Sequence, residues 1–200
     1  MRTCYETVRK DRTIARRPPD IGLLLAALDA HGVRYVVTGS AAAMLHGVAL
    51  VAGDLDITPA LDRENLTLLA AALADIDARQ DPEAPFGRWQ PQPEAEQRWV
   101  LHEPTPEEIA ARASWQPDPN DPASFDHLLR SMHGAIDVVP EVSGTYDELR
   151  PRAVQVRAFD REIWVESIED ILATLTVPRR QKDVDRVREL RALQRGERLG

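Results

Sequence analysis

Val33-Arg-Tyr-Val-Val-Thr-Gly-Ser-Ala-Ala-Ala-Met-Leu-His-Gly-Val-Ala-Leu-Val-Ala-Gly-Asp-Leu-Asp-Ile-Thr-Pro59 is the stretch around which the chain is organised. Its first run, Val33 to Thr38, is rich in β-branched and aromatic residues, as a buried strand is. Gly39 then permits a tight turn and a close approach of backbone to a ligand. A short helix starts at or near Ser40, so its first amides and its dipole point at the turn, where they can hold a phosphate. Ser40 either adds its hydroxyl to that phosphate or is only an N-cap. In the second apolar run Leu55 separates Asp54 from Asp56, and alternate side chains of a strand share one face. The two carboxylates therefore point the same way, with Leu55 and Ile57 turned into the core. Carboxylates one pleat apart repel each other unless a cation sits between them, and hard oxygen donors suit a divalent ion such as Mg2+.

Outward from this stretch, Asp20 caps a predicted helix carrying Ile21, Leu24, Leu25 and Leu28 at helical spacing, and Gly32 closes it. His46-Gly47 reads as a helix end, with His46 a packing or capping residue rather than a ligand. Arg63 to Ala78 is an amphipathic helix opened by Asp62. Residues 80–125 form an insert dense in proline and acids, interrupted by Trp89, Trp99 and Trp115, which are too many tryptophans for a disordered linker. Arg98 to His102 is its best strand, and Thr105 to Ser114 opens with a helix signal. Gly134 leads into a strand closed by Pro140, and Asp137 sits inside it between Ile136 and Val138. An acid in so apolar a strand must be paired, hydrogen-bonded or metal-bound. Ala153 to Phe159 and Arg161 to Val165 form a hairpin through Asp160. Ser167 caps a helix from Ile168 that Pro178 breaks, and a last helix from Lys182 to Gln194 carries Val184, Val187, Leu190 and Leu193 as its apolar stripe.

Two hundred residues with 43% hydrophobic content suit one domain with a helical extension. The boundaries are an arm at 1–17, a core at 18–165 and a helical segment at 166–200. The single Cys4 excludes an internal disulfide framework, and no apolar run is long enough to span a bilayer, so a soluble cytoplasmic protein is expected. A net charge of −8 argues against a broadly basic nucleic-acid coat. Arginines nevertheless crowd the last segment, including Arg179, Arg180, Arg186, Arg188, Arg191 and Arg195. They make either a basic patch or a solvated helix face paired with Asp183, Asp185 and Glu189.

A strand, Gly39-Ser40, a short helix, a strand with Asp54 and Asp56, and a later strand with Asp137 together resemble the DNA polymerase β-like nucleotidyltransferase superfamily. About a dozen residues separate Gly-Ser from the first Asp, in keeping with that superfamily. Glu166-Ser-Ile-Glu-Asp-Ile-Leu-Ala-Thr and Arg180-Gln-Lys-Asp are similar to the C-terminal motif of the AbiEii- and MenT-type nucleotidyltransferase toxins. The resemblance implies an α+β nucleotidyltransferase fold, a small mixed sheet flanked by helices with a helical C-terminal extension. It implies transfer of NMP from an NTP to an acceptor hydroxyl, with an RNA such as a tRNA 3′ end as acceptor, by the toxin of a toxin-antitoxin pair with a cognate antitoxin protein. Asp54 and Asp56 would bind two Mg2+ ions, and Asp137 would bind one and help activate the attacking hydroxyl. Gly39 and Ser40 would hold the triphosphate, and Lys182 with Arg180 would neutralise phosphate charge or steady the carboxylates. The residue types fit because in-line attack on an α-phosphate develops charge on entering and leaving oxygens, which two metals stabilise.

Two positions depart from the pattern. Leu175 stands where such relatives often have lysine, and Asp185 falls one place early, so that Arg186 takes an expected acidic site. A protein hydroxyl or a small molecule such as an aminoglycoside is an alternative acceptor. A non-catalytic binding or antitoxin-like module on the same fold is the reading from another class, and the presence of all three acids favours catalysis over it.

Overall fold

The computed structural model describes residues 18–81, 84, 86–92, 95–175 and 181–197. The arm at 1–17, Pro178 and Arg180 lie outside the described residues. Helix α1 (Ile21–Ala30) starts at Asp20, whose carboxylate accepts from the Leu23 amide at 3.0 Å, and Gly32 closes it at a left-handed φ of 70°. Strand β1 (Tyr35–Val37), helix α2 (Gly39–Leu45) and strand β2 (Leu55–Pro59) follow. Helix α3 (Arg63–Asp75), capped by Asp62, is shorter than its periodicity predicts: Asp77 takes φ 52° and the Ala78 amide turns back to the Leu73 carbonyl at 2.9 Å. That turn lets Ile76 and Ala78 stay buried while the helix stops.

The insert supplies an edge strand β3 (Arg79–Gln80), then β4 (Gly87–Gln92) and β5 (Ala95–Leu101), which pair as an antiparallel hairpin with Trp89 opposite Trp99. Helix α4 (Pro106–Ala113) opens where its sequence carries a helix signal, and its start is a reciprocal cap of Thr105 against Glu108. Trp115 donates from Nε1 to the Ser124 carbonyl at 3.0 Å and meets His127 edge-on, so this part of the insert is tied to the body. A 3-10 turn (Pro122–Phe125) buries Phe125 completely and leads into β6 (His127–Ser131) and β7 (Gly134–Val138). Short helix α5 (Tyr146–Leu149) precedes the hairpin of β8 (Val154–Ala158) and β9 (Arg161–Val165), turned by Phe159 and Asp160 at φ 52° and 58°. Helices α6 (Ile168–Thr174) and α7 (Gln181–Gln194) complete the chain.

The strands make a seven-stranded mixed sheet in the order β3-β6-β7-β2-β1-β9-β8, with β4-β5 a separate pair. β2 lies at its centre, antiparallel to β1 and parallel to β7. The architecture is α+β, a mixed sheet with helices and a helical C-terminal segment. Leu24, Leu25 and Leu28 of α1 and Leu66, Leu69 and Leu73 of α3 pack into one core with Leu55, Ile57, Ile136 and Val138 of the central strands. On α7 the inward face differs from the predicted stripe. Leu190 is buried and Leu193 packs on the core, whereas Val184 is exposed and Asp183 is buried. The first turns of this helix thus bury an acid rather than the predicted valine, and Leu190 and Leu193 in the later turns make its apolar packing.

Asn65 shows how the central strands are anchored. It is fully buried, accepts from the Arg34 amide at 2.7 Å, and donates to the carbonyls of Arg34 at 3.0 Å and Ala60 at 2.8 Å. One side chain so pins the start of β1 to the end of β2. Asn65→Ala leaves the Arg34 amide and the Ala60 carbonyl short of a partner, while the Arg34 carbonyl keeps the Ala60 amide, and is expected to lower unfolding free energy by roughly 1–3 kcal/mol, measured by denaturant melts.

Candidate active site

Strand alternation sends Leu55 and Ile57 to the core and Asp56 to the opposite face, as β2 pairs in register with β7. The register sets Asp56 directly beside Asp137, while Leu55 meets Ile136 and Ile57 meets Val138. Asp54 stands just before β2, two residues from Asp56, on the same side. Each of the three acids offers a carboxylate oxygen, and those atoms lie within 4.8 Å of one another at half-buried positions. Sequence spacing joined the first two, and the fold brings in the third.

Crowding and burial raise the proton affinity of Asp56 and Asp137. Burial, then the charge of Asp54, then that of Asp137, push the Asp56 carboxyl up to about 7, against the pull of the Ser40 amide and the Arg186 guanidinium. Burial, followed by Asp54 and Asp126, pushes Asp137 up to about 6. Three crowded carboxylates, with Asp56 and Asp137 reluctant to ionise, are a fitting seat for a hard divalent cation, which supplies the balancing charge.

The Gly-Ser turn is built against these acids. Helix α2 starts at Gly39, next to Ser40 as the sequence predicts, and Thr38 rather than Ser40 occupies its N-cap position. The Ser40 amide donates to Asp56 Oδ2 at 3.3 Å and the Gly39 amide to Glu166 Oε2 at 3.2 Å. Gly39 has φ 63°, and a Cβ there would stand 2.4 Å from Asp56 Oδ2. Glycine is therefore required both by the backbone and by the carboxylate in front of it. The two amides hold anionic oxygens, which is the property a phosphate needs.

Glu166 was part of a recognised motif but its role was not legible in the sequence. Only 2% exposed, it also accepts from the Ser143 hydroxyl, and its carbonyl binds His46 Nε2 at 2.7 Å. Burial raises its carboxyl, while the Ser143 hydroxyl and the Gly39 amide hold it down. His46 is thereby a tether between α2 and the end of β9, as a capping or packing residue would be. Arg186 and Asp126 are further groups that act on the acids. Lys182 lies exposed in the first turn of α7.

Among known proteins, no family model matches the chain and no curated protein matches it. No helix among the described residues is long and apolar enough to cross a membrane.

Since Asp56 and Asp137 bind protons more tightly folded than unfolded, the metal-free protein is expected to lose stability as pH rises from the ordinary 3.8 through about 7. Asp56→Asn should flatten that dependence in melts across pH. Titrating Mn2+ into the wild type at about pH 6.5 should release protons into a weakly buffered solution, and the same variant should release far fewer. Gly39→Ala is expected to weaken Mn2+ binding at least about tenfold by displacing Asp56 and to cost roughly 1–2 kcal/mol of stability, read by calorimetry and melting.

Proposed function

We propose that the chain is a metal-dependent nucleotidyltransferase with a nucleotidyltransferase fold, moving NMP from an NTP to an acceptor hydroxyl. The acceptor in this reading is an RNA 3′ end such as that of tRNA, and the protein acts as the toxin of a toxin-antitoxin pair. The observation that carries the proposal is the meeting of Asp54, Asp56 and Asp137 beside the Gly39-Ser40 turn. Two Mg2+ ions, when bound, would supply charge stabilisation to the entering and leaving oxygens of in-line attack. Asp54 and Asp56 would hold both ions, and Asp137 would hold one and help draw the proton from the acceptor hydroxyl. Gly39 and Ser40 would hold the phosphate chain at the turn, and Gly39, by carrying no side chain, lets the Asp56 carboxylate sit against that turn. Exposed Arg188, Arg191 and Arg195 on and after α7 supply a local track for an RNA backbone on an otherwise acidic protein.

The test is incubation with each labelled NTP and Mg2+, with total tRNA in one arm and cell lysate in the other, beside Asp56→Ala. Label in tRNA is the expected result, and the variant should lose it by at least about a thousandfold. Label in a protein or a small molecule would move the acceptor. No Asp56-dependent label in any fraction would sink the catalytic reading.

A further inference from the structure

We propose that Arg186, on the second turn of α7, is the cation that grips an anionic oxygen of the nucleotide's phosphate chain, an assignment that rests on the nucleotidyltransferase reading.

Helix α7 is fastened against the loop that delivers Asp54, because Glu189 Oε2 accepts from the Ala49 amide at 2.8 Å. Residue 186 lies one turn before Glu189 and shares its side of the helix. The flanking positions on that side, Asp183 and Leu190, are 4% and 0% exposed, so the face carrying Arg186 is turned into the molecule. The Arg186 Nε is shut off from solvent and has no hydrogen-bond partner, and among the described residues its guanidinium makes no hydrogen bond and no ion pair within 4.0 Å. Its charge nonetheless reaches Asp56 and lowers the proton affinity there.

A buried N–H left unpaired is costly, and a guanidinium offers a fork of donors that matches phosphate oxygens. Neighbouring arginines are exposed to solvent and stand beside a carboxylate: Arg188 lies 3.8 Å from Asp185, and Arg195 binds Glu197 at 2.8 and 2.9 Å. Arg186 is set apart from them by facing the acid cluster without pairing to it. A phosphate chain satisfies both sides of that gap, with its cations on Asp54, Asp56 and Asp137 and its remaining charge on Arg186. No covalent role for Arg186 is involved.

Calorimetric titration of the full chain with magnesium tripolyphosphate tests this, with Mn2+ alone and thermal melts measured in parallel. Arg186→Gln is expected to weaken tripolyphosphate binding by about 10- to 100-fold while leaving Mn2+ affinity within about threefold of wild type. Arg186→Lys, which keeps charge but loses the fork, should fall between the two and serves as the decisive variant if the glutamine form does not fold. Unchanged tripolyphosphate affinity in a folded variant overturns the assignment and leaves the nucleotidyltransferase reading standing. An equal loss of Mn2+ and tripolyphosphate affinity makes Arg186 a positioning residue for the acids and overturns it too. Failure of the wild type itself to bind magnesium tripolyphosphate overturns both readings at once.

Discussion

The register between β2 and β7 puts Asp56 shoulder to shoulder with Asp137, and most of the site follows from how the protein contains that repulsion. Two carboxylates on adjacent strands, with Asp54 on the same side, cannot all ionise cheaply in a half-buried position. The fold answers with an amide from Ser40, the charge of Arg186 and a raised proton affinity at Asp56 and Asp137. A core of Leu55, Ile57, Ile136 and Val138 on the other face holds the two strands in this costly register. The same packing that stabilises the sheet therefore concentrates negative charge at one place.

The C-terminal segment is the second support. Glu166 follows β9 directly and uses its carboxylate on Gly39, its carbonyl on His46 and its amide on the Val37 carbonyl, so three parts of the opening stretch converge on one residue. Glu189 adds a fourth tie through Ala49. Removing these ties would free the turn that faces the acids. The helical segment is thus part of the construction of the site, although it contributes none of the three carboxylates.

Much of this was legible in the sequence because it depends on local patterns. Alternation gave Asp54 and Asp56 a common face, the caps at Asp20, Asp62, Thr105 and Ser167 placed four helices, and Asp137 stood out as an acid in an apolar strand. What was not legible depends on long-range register. Nothing near Asp137 in the chain says that it pairs with Asp56, and nothing near Arg186 says which way α7 turns. The Val184 stripe misled because helical periodicity records spacing but not the polarity of the surface the helix meets. Likewise the sequence left Ser40 as a phosphate ligand or an N-cap, and the structure gives the N-cap position to Thr38, with a glycine at φ 63° opening the helix against Asp56.

The central claim is that these acids hold divalent cations beneath a nucleotide's phosphates. Crystals grown with Mn2+ and a non-hydrolysable NTP test it most directly, through the anomalous signal of the metal. The account predicts anomalous peaks between Asp54, Asp56 and Asp137, with the triphosphate lying against Gly39 and Ser40. Manganese bound elsewhere, or a nucleotide seated away from the acids, would contradict it.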